Sequence, residues 1–193
     1  MKPISYYPIL LCCLLCSCFS LTAQDIILKN PSLEGTPGAG QVPPLWNGRN
    51  TPDIQPGALQ SPVDGSTYIG LHSGPTYLES ISQEVGLVAG KQYQLSADLA
   101  YAPNYAYKAC YGILTVYGSN STKDTLERLW SSGPFYHTNW KKYAFSVTPK
   151  KNYKYIIFMA GVDLPCNQSE YGSAILMDNL SASLRETPRL SAV

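Results

Sequence analysis

The segment AYAPNYAYKACYG, at residues 100–112, brings four tyrosines close together in the sequence. The alternating pattern that ends at Tyr101 is broken at Pro103-Asn104, so Tyr105 and Tyr107 fall in a predicted loop, where packing does not demand an aromatic ring. A phenol offers an apolar face and a hydroxyl that donates or accepts hydrogen bonds. Binding residues concentrate in loops that a rigid scaffold holds in place. The segment therefore predicts a ligand site, with packing of the same rings beneath the loop as the alternative.

Two further predicted loops carry aromatic residues. GPFYHTNW, at residues 133–140, holds Tyr136, and the glycine- and proline-rich stretch at residues 30–46 ends on Trp46. We take Tyr136, Trp46 and Tyr101 as additional candidates for a ligand surface. For Trp46 the alternative is that its ring packs under its own loop, because large rings are mostly buried in folded proteins.

No arrangement of catalytic residues can be recognised. The glycine-rich run at residues 35–40 lacks the G-x-G-x-x-G order, and no predicted helix follows it to bind a phosphate. His72-Ser73 is not part of a G-x-S-x-G motif, and no Asp is placed by pattern to orient the histidine. The sequence therefore predicts a binding protein rather than an enzyme.

Residues 1–23 have the composition of a secretory signal peptide. One lysine near the start is followed by an apolar run at residues 9–15 and by small and polar residues up to Ala23. Alternatively, Leu15-Cys16-Ser17-Cys18 resembles a bacterial lipobox, in which Cys18 would carry a lipid anchor. No later stretch is long and apolar enough to predict a transmembrane helix. We expect a secreted or cell-surface protein, with a lipid-anchored outer-membrane protein as the alternative.

Cys110 and Cys166 are the two cysteines that follow the leader. An even count in an exported chain favours a disulfide. A bond between them would close a loop of roughly 55 residues and stabilise the fold by about 3–4 kcal/mol. The alternative is two separate buried thiols.

The charge of the chain beyond the leader is balanced. Of the 14 Lys and Arg residues only Lys2 belongs to the leader, so 13 basic residues face the 13 Asp and Glu residues. A formal net charge of zero argues against nucleic acid or an anionic membrane as the partner.

Most of the chain after residue 66 has the pattern of β-strands. QYQLSADLAY (92–101) and WKKYAFSV (140–147) alternate apolar and polar residues, as half-buried antiparallel strands do. About eight or nine strands between residues 25 and 184, with no amphipathic helix of three turns, predict an all-β fold, a two-sheet antiparallel β-sandwich. The connection at residues 35–65 should cross the surface of the sandwich, and residues 185–193 should form a disordered tail.

Several short motifs follow one another in a recognisable order. They are N-x-x-x-E-G (residues 30–35), Trp46 closing the next loop, D-G-S-T-Y (64–68) before a strand, T-x-W (138–140) opening a late strand, and an Asp-Asn pair (178–179) in the last one. Together they resemble the galactose-binding-like jelly rolls, in particular carbohydrate-binding modules of the CenC type, over residues 25–184. The resemblance implies a jelly roll and, by analogy, an exported, non-catalytic module that binds carbohydrate.

The same resemblance implies a structural calcium ion where the first strand, the segment before the third strand and the last strand meet. Carried over by position, its ligands would be the carbonyl oxygens of Ser32 and Thr67 and the carboxylates of Glu34, Asp64 and Asp178. Calcium binds about six to eight oxygens from carboxylates and carbonyls. The alternative is that Glu34 and Asp64 are turn residues and that Asp178 is hydrogen-bonded within the sheet.

We expect a carbohydrate or cell-surface glycan as the partner, bound by the aromatic residues Tyr105, Tyr107, Tyr136, Trp46 and Tyr101. An adhesion or protein-interaction module on the same fold, without sugar binding, is the alternative, because sugar-binding modules often accompany a catalytic domain. The sequence names neither the sugar nor the oligomeric state.

Overall fold

The computed structural model describes residues 25–105, 108–162, 166 and 172–187. In these residues the backbone forms thirteen β-strands and no helix. The strands are β1 (Ile26–Ile27), β2 (Asn47–Arg49), β3 (Asp53–Gln55), β4 (Tyr68–Gly74), β5 (Tyr77–Leu78), β6 (Ser80–Leu87), β7 (Gln92–Tyr101), β8 (Leu114–Ser119), β9 (Glu127–Ser131), β10 (Lys141–Val147), β11 (Tyr153–Ala160), β12 (Ser173–Asp178) and β13 (Ser183–Thr187). The described part of the chain therefore contains no helix that is long and apolar enough to cross a membrane.

The strands form two antiparallel sheets. In the large sheet β10 pairs with one edge of β7, and β12 and β13 pair one after the other with the opposite edge. β12 also pairs with β4, which in turn pairs with β3 and β5, and β1 pairs with β13. The small sheet has the order β2-β6-β11-β8-β9. The predicted all-β, two-sheet sandwich is confirmed.

Clean alternation in the sequence identified two paired strands of the large sheet, β7 and β10. β7 and β10 pair from Lys141 opposite Leu99 to Val147 opposite Tyr93. Tyr93, Leu95, Ala97 and Leu99 of β7 are buried in the main core between the sheets. The expected eight or nine strands become thirteen because β1, β2, β3 and β5 are only two or three residues long, which is too short for a period of two to show.

The two ends of the described chain meet in the large sheet. Ile26 of β1 lies opposite Leu184 of β13. β13 continues to Thr187 and pairs with the start of β7. Residues 185–187 therefore belong to the sheet and not to the tail that was expected after residue 184.

A second hydrophobic cluster covers the outer face of the large sheet, on the side away from the main core. It contains Tyr68, Ala100, Ala102, Tyr105, Ala109, Ala174 and Leu176. The fully buried Tyr68 and its neighbour Ile69 in β4 illustrate the alternation, because Ile69 belongs to the main core and Tyr68 to this outer cluster. Burying a large apolar side chain contributes about 1.5–3 kcal/mol. Packing in the outer cluster therefore holds the loop that follows β7 against the sheet.

Gly70 of β4 leaves space for the ring of Tyr105 in the outer cluster. A Cβ atom at Gly70 would lie 2.6 Å from the hydroxyl oxygen of Tyr105 and 2.7 Å from the adjacent ring carbon. Any side chain at this position would therefore push the ring of Tyr105 off the sheet.

A disulfide joins the loop that follows β7 to the segment before β12. Cys110 and Cys166 are bonded, with their Cα atoms 5.9 Å apart, so the predicted pairing is confirmed. The backbone N–H of Cys110 also donates to the carbonyl of Gly172, at 3.2 Å.

Candidate functional site

A groove lies beside the outer cluster, where β7 ends and the loop before β10 returns. It encloses about 410 Å³. Its lining includes Tyr101 and Tyr105 together with the polar side chains of Gln60, Asn104, Thr138 and Asn139. We call it the tyrosine groove. It brings two of the predicted ligand residues together with amide and hydroxyl groups that the sequence analysis did not single out.

Tyr136 extends this surface. Its side chain is 62% exposed, and its ring meets that of Tyr101 edge to face, with 6.3 Å between the ring centroids. Tyr101 donates from its hydroxyl to the carbonyl of Ala109, at 2.5 Å, which fixes the plane of its ring. Burial raises the pKa of Tyr101, and the nearby Tyr136 adds to the shift, so the Tyr101 phenol stays neutral at physiological pH.

Tyr105 supports the groove from below. It is only 6% exposed, its hydroxyl donates to the Asp53 carboxylate, and it accepts from the Gln55 amide at 3.1 Å. Burial, followed by the hydrogen bond to Asp53, raises the pKa of Tyr105 far above its ordinary value. Asp53 and Gln55 lie two residues apart in β3, so both side chains lie on the same face of the sheet. The pattern is present in the sequence, but three residues are too few to predict a strand from it.

A buried polar cluster underlies Tyr105. The ring of His72 meets the ring of Tyr105 edge to face, with 5.6 Å between the centroids. Glu79 is fully buried and lies 3.0 Å from Nδ1 of His72 through Oε2. Its carboxylate also accepts from the His72 backbone N–H at 2.8 Å and from the Tyr77 hydroxyl at 2.9 Å. His72 thus packs against Tyr105 and pairs with Glu79 in the buried part of the sheet.

Trp46 lies in the main core and not on a ligand surface. It is 7% exposed, and its ring packs edge-on against Phe158, with 5.9 Å between the centroids. Its indole N–H donates to the carbonyl of Asn30, at 3.0 Å. This geometry matches the alternative interpretation of Trp46, in which its ring packs under its own loop.

Tyr107, another of the predicted ligand residues, lies outside the described residues.

The N-x-x-x-E-G motif forms a closed turn. The Asn30 side chain donates to the carbonyl of Glu34 at 2.8 Å and accepts from the Glu34 backbone N–H at 3.1 Å. Asn30 and Leu33 both have left-handed backbone angles, with φ of 49° and 57°. The double hydrogen bond stabilises this unusual backbone and aims the Glu34 side chain away from the turn.

Glu34 and Asp178, from the N-terminal and C-terminal parts of the described chain, bind the same loop, residues 63–67. Oε1 of Glu34 accepts from the N–H groups of Ser66 (2.9 Å) and Thr67 (3.1 Å). Oδ2 of Asp178 accepts from the N–H groups of Val63 (2.7 Å) and Asp64 (3.1 Å). The N-terminal segment and the last long strand are therefore joined through this loop.

The environments of the two carboxylates shift their pKa values in opposite directions. Burial alone would raise the pKa of Glu34, but the hydrogen bonds from Ser66 and Thr67 outweigh it and lower the pKa. Burial raises the pKa of Asp178 despite the three N–H groups that donate to it.

Gly65 allows the close approach of Glu34, because a Cβ there would lie 2.2 Å from Oε1.

Glu34 and Asp178, two of the predicted calcium ligands, are both engaged by hydrogen bonds. Within the described ranges, no three side chains of His, Cys, Asp or Glu lie together as a metal cluster, and Asp64 is exposed. Oε2 of Glu34 accepts one hydrogen bond from the Ser66 hydroxyl, and Oδ1 of Asp178 accepts one from the Asn179 backbone N–H. The carbonyls of Ser32 and Thr67 are the other predicted ligands.

Comparisons with known proteins agree on the fold. No protein-family model matches the sequence, and no curated protein matches it. Among solved structures, the CBM22-1 xylan-binding domain of Xyn10C from Paenibacillus barcinonensis aligns over 86% of this chain and 97% of its own, with 14% identity and a TM-score of 0.55. This chain has the jelly-roll fold of carbohydrate-binding modules.

Two other matches place the same fold inside longer proteins. The tandem CBM22-1–CBM22-2 domain of the same Xyn10C aligns over 89% of this chain and 48% of its own, with 14% identity and a TM-score of 0.56. An arabinose-bound GH51 α-L-arabinofuranosidase aligns over 84% of this chain, which spans only 26% of the enzyme, with 14% identity and a TM-score of 0.57. At this identity the match shows the jelly-roll fold alone.

Replacing Glu34 with Gln tests the bonds between the N-terminal segment and the loop at residues 63–67. Because the folded pKa lies below the ordinary 4.5, the carboxylate stabilises the fold above about pH 4.5, and this contribution is lost as the pH falls through the folded pKa. We expect Glu34→Gln to lower the free energy of unfolding by about 1 kcal/mol at pH 7. The difference from wild type should shrink towards pH 3, as measured by urea unfolding.

Glu84 provides the matched control for this experiment. Its side chain is 62% exposed and pairs only at the surface with Lys154, at 3.4 Å. Glu84→Gln should change the stability little at either pH, since exposed ion pairs contribute weakly. A Glu34→Gln deficit that stays constant from pH 7 to pH 3 would contradict the role assigned to the carboxylate.

Proposed function

We propose that this protein is a non-catalytic module that binds a neutral carbohydrate in the tyrosine groove. The observation that carries the proposal is the exposed ring of Tyr136 beside Tyr101, next to a groove lined by three amides and a hydroxyl. Aromatic rings pack against the apolar faces of sugar rings, while a few placed polar groups bind the hydroxyls. The arrangement offers both kinds of contact on one surface.

The polarity of the groove favours an uncharged ligand. None of the residues that line it in the described part of the chain is charged. Amides and hydroxyls both donate and accept hydrogen bonds, as sugar hydroxyls do. A groove of this kind satisfies a neutral saccharide without leaving a charge unpaired.

The comparison with solved structures supports the choice of ligand class. The matched domain of Xyn10C is described as xylan-binding, and this chain shares its fold. A carboxylate pair of the kind that glycosidases use is not among the described residues lining the groove. This supports binding without hydrolysis.

An adhesion or protein-interaction module is the second candidate. The side chain of Leu59, which also lines the groove, is 48% exposed, and an apolar group beside an exposed tyrosine also suits a protein partner. A glycan array distinguishes the two candidates, since a module of the second kind would bind no glycan on it.

Export is part of the same proposal. The predicted signal peptide at residues 1–23 and the alternative lipid anchor at Cys18 lie outside the described residues. Membrane partitioning of the processed protein, compared with that of Cys18→Ala, separates a secreted protein from an anchored one. Loss of partitioning in the variant would identify the lipid anchor.

Truncating Tyr136 tests the sugar-binding surface. We expect Tyr136→Ala to weaken binding to the best neutral oligosaccharide of the array by about tenfold or more, because an aromatic contact contributes about 0.5–1.5 kcal/mol beyond its buried area. Calorimetric titration measures the affinity. The melting temperature should change little, because the ring is mostly exposed.

A tyrosine on the other sheet controls for general effects. Tyr155, in β11, is partly exposed and contacts Lys154, and Tyr155→Ala should leave sugar affinity unchanged. Equal losses in both variants, or full affinity in Tyr136→Ala, would exclude the tyrosine groove as the binding site.

We further propose that calcium binds between Glu34 and Asp178 through Oε2 of Glu34 and Oδ1 of Asp178, each of which accepts one hydrogen bond, together with the carbonyls of Ser32 and Thr67. The ion would add a third link between the chain ends and the loop at residues 63–67. A site with few protein ligands binds weakly, so the stabilisation depends on calcium concentration.

Thermal unfolding in calcium and in chelator tests the ion. We expect millimolar calcium to raise the melting temperature by a few degrees relative to chelator, and Glu34→Gln to remove most of that rise. An identical melting temperature in both buffers would show that hydrogen bonds alone hold the loop.

A further inference from the structure

A second groove crosses β7, β10 and β13 on the large sheet. It encloses about 550 Å³. We call it the serine groove, after the residues that form much of its surface: Gln94, Ser96, Ser146, Ser181, Ser183 and Arg185. It adjoins the start of β7, whereas the tyrosine groove adjoins its end, and the two grooves share no lining residue.

The serine groove carries hydrogen-bonding groups that the fold does not use. In the described part of the chain, the side chains of Gln94, Ser96 and Ser146 make no hydrogen bond, and all three are exposed or partly exposed. Ser181 is committed, because its hydroxyl accepts from the Ser96 backbone N–H at 3.2 Å. Three side chains are therefore available to bind the hydroxyl groups of a ligand.

Arg185 is the only charged residue among those that line the serine groove. It lies directly opposite Gln94 across the pair β13–β7 and is exposed. Its neighbour Glu186 lies 2.9 Å from Lys91 and so is already paired. One acid, Asp25, contacts the groove from outside its lining, where Ser183 donates to it at 3.4 Å.

Stacking on an aromatic ring is not the means of recognition here. Phe145 is the only aromatic residue in the lining, and its ring faces the core, stacked on Trp130 with 4.0 Å between the centroids. Hydrogen bonds and the guanidinium are the contacts that remain. A guanidinium binds a carboxylate through two parallel hydrogen bonds, which makes it selective for that group.

We propose that the serine groove is a second binding site, for a carboxylated sugar such as a uronic acid residue of an acidic polysaccharide. Arg185 binds the sugar carboxylate, and Gln94, Ser96 and Ser146 bind the ring hydroxyls. The site differs from the tyrosine groove in its ligand class, because it offers a cation and no aromatic face.

Calorimetric titration of the full chain with trigalacturonic acid tests the site. We expect measurable binding to the wild type and a loss of about tenfold or more in Arg185→Gln, since a charge-assisted bidentate pair is removed. Arg185→Lys keeps the positive charge but cannot form two parallel hydrogen bonds with the carboxylate. We expect its affinity to lie between those of the wild type and Arg185→Gln. Ser146→Leu fills the groove and should also abolish binding, while circular dichroism checks that each variant is folded.

Two controls separate this site from non-specific attraction and from the tyrosine groove. Lys151→Gln removes one positive charge from an exposed residue elsewhere and should leave the affinity for trigalacturonic acid unchanged, as should Tyr136→Ala. A wild type that does not bind trigalacturonic acid, or equal losses in Arg185→Gln and Lys151→Gln, would overturn the proposal. Failure of the neutral-sugar proposal would not affect this result, because it concerns the other groove.

Discussion

The hydrogen bonds between the Tyr105 hydroxyl and its two partners on β3, Asp53 and Gln55, determine how the outer face of the large sheet is built. A buried polar group without partners costs about 1–3 kcal/mol, so the phenol is held where β3 can reach it. Gly70 leaves the space that the ring requires. With Tyr105 fixed, the loop after β7 lies against the sheet, and Tyr101 and the amides of the tyrosine groove remain at its edge. The surface available for a ligand thus follows from a buried contact.

A second constraint joins the two ends of the described part of the chain. Glu34 and Asp178 bind neighbouring N–H groups of the loop at residues 63–67, and β1 pairs with β13. These contacts close the large sheet around β7, whose residues contribute to both grooves. A jelly roll built this way can present two chemically different surfaces on one sheet, one aromatic and uncharged, the other polar with a single guanidinium.

The sequence predicted those parts of the fold that repeat over many residues. Alternation over eight to ten residues identified β7 and β10, and the even count of cysteines after the predicted leader favoured the disulfide. It did not predict β2 and β3, because three residues carry no readable period. The same limit affected the site, since Asp53 and Gln55 lie in β3. Without the location of β3, the sequence could not separate Tyr105, which is buried, from Tyr136, which is exposed.

The central claim is that the large sheet presents its ligand surface at Tyr101 and Tyr136. The most direct measurement is a nuclear magnetic resonance titration of the labelled protein with the strongest neutral oligosaccharide from a glycan array, followed through backbone amide shifts. The account predicts that the largest shifts fall at Tyr101, Asn104, Tyr136 and Asn139, with β11 of the small sheet unchanged. Shifts centred on the small sheet, with those four residues unaffected, would contradict it.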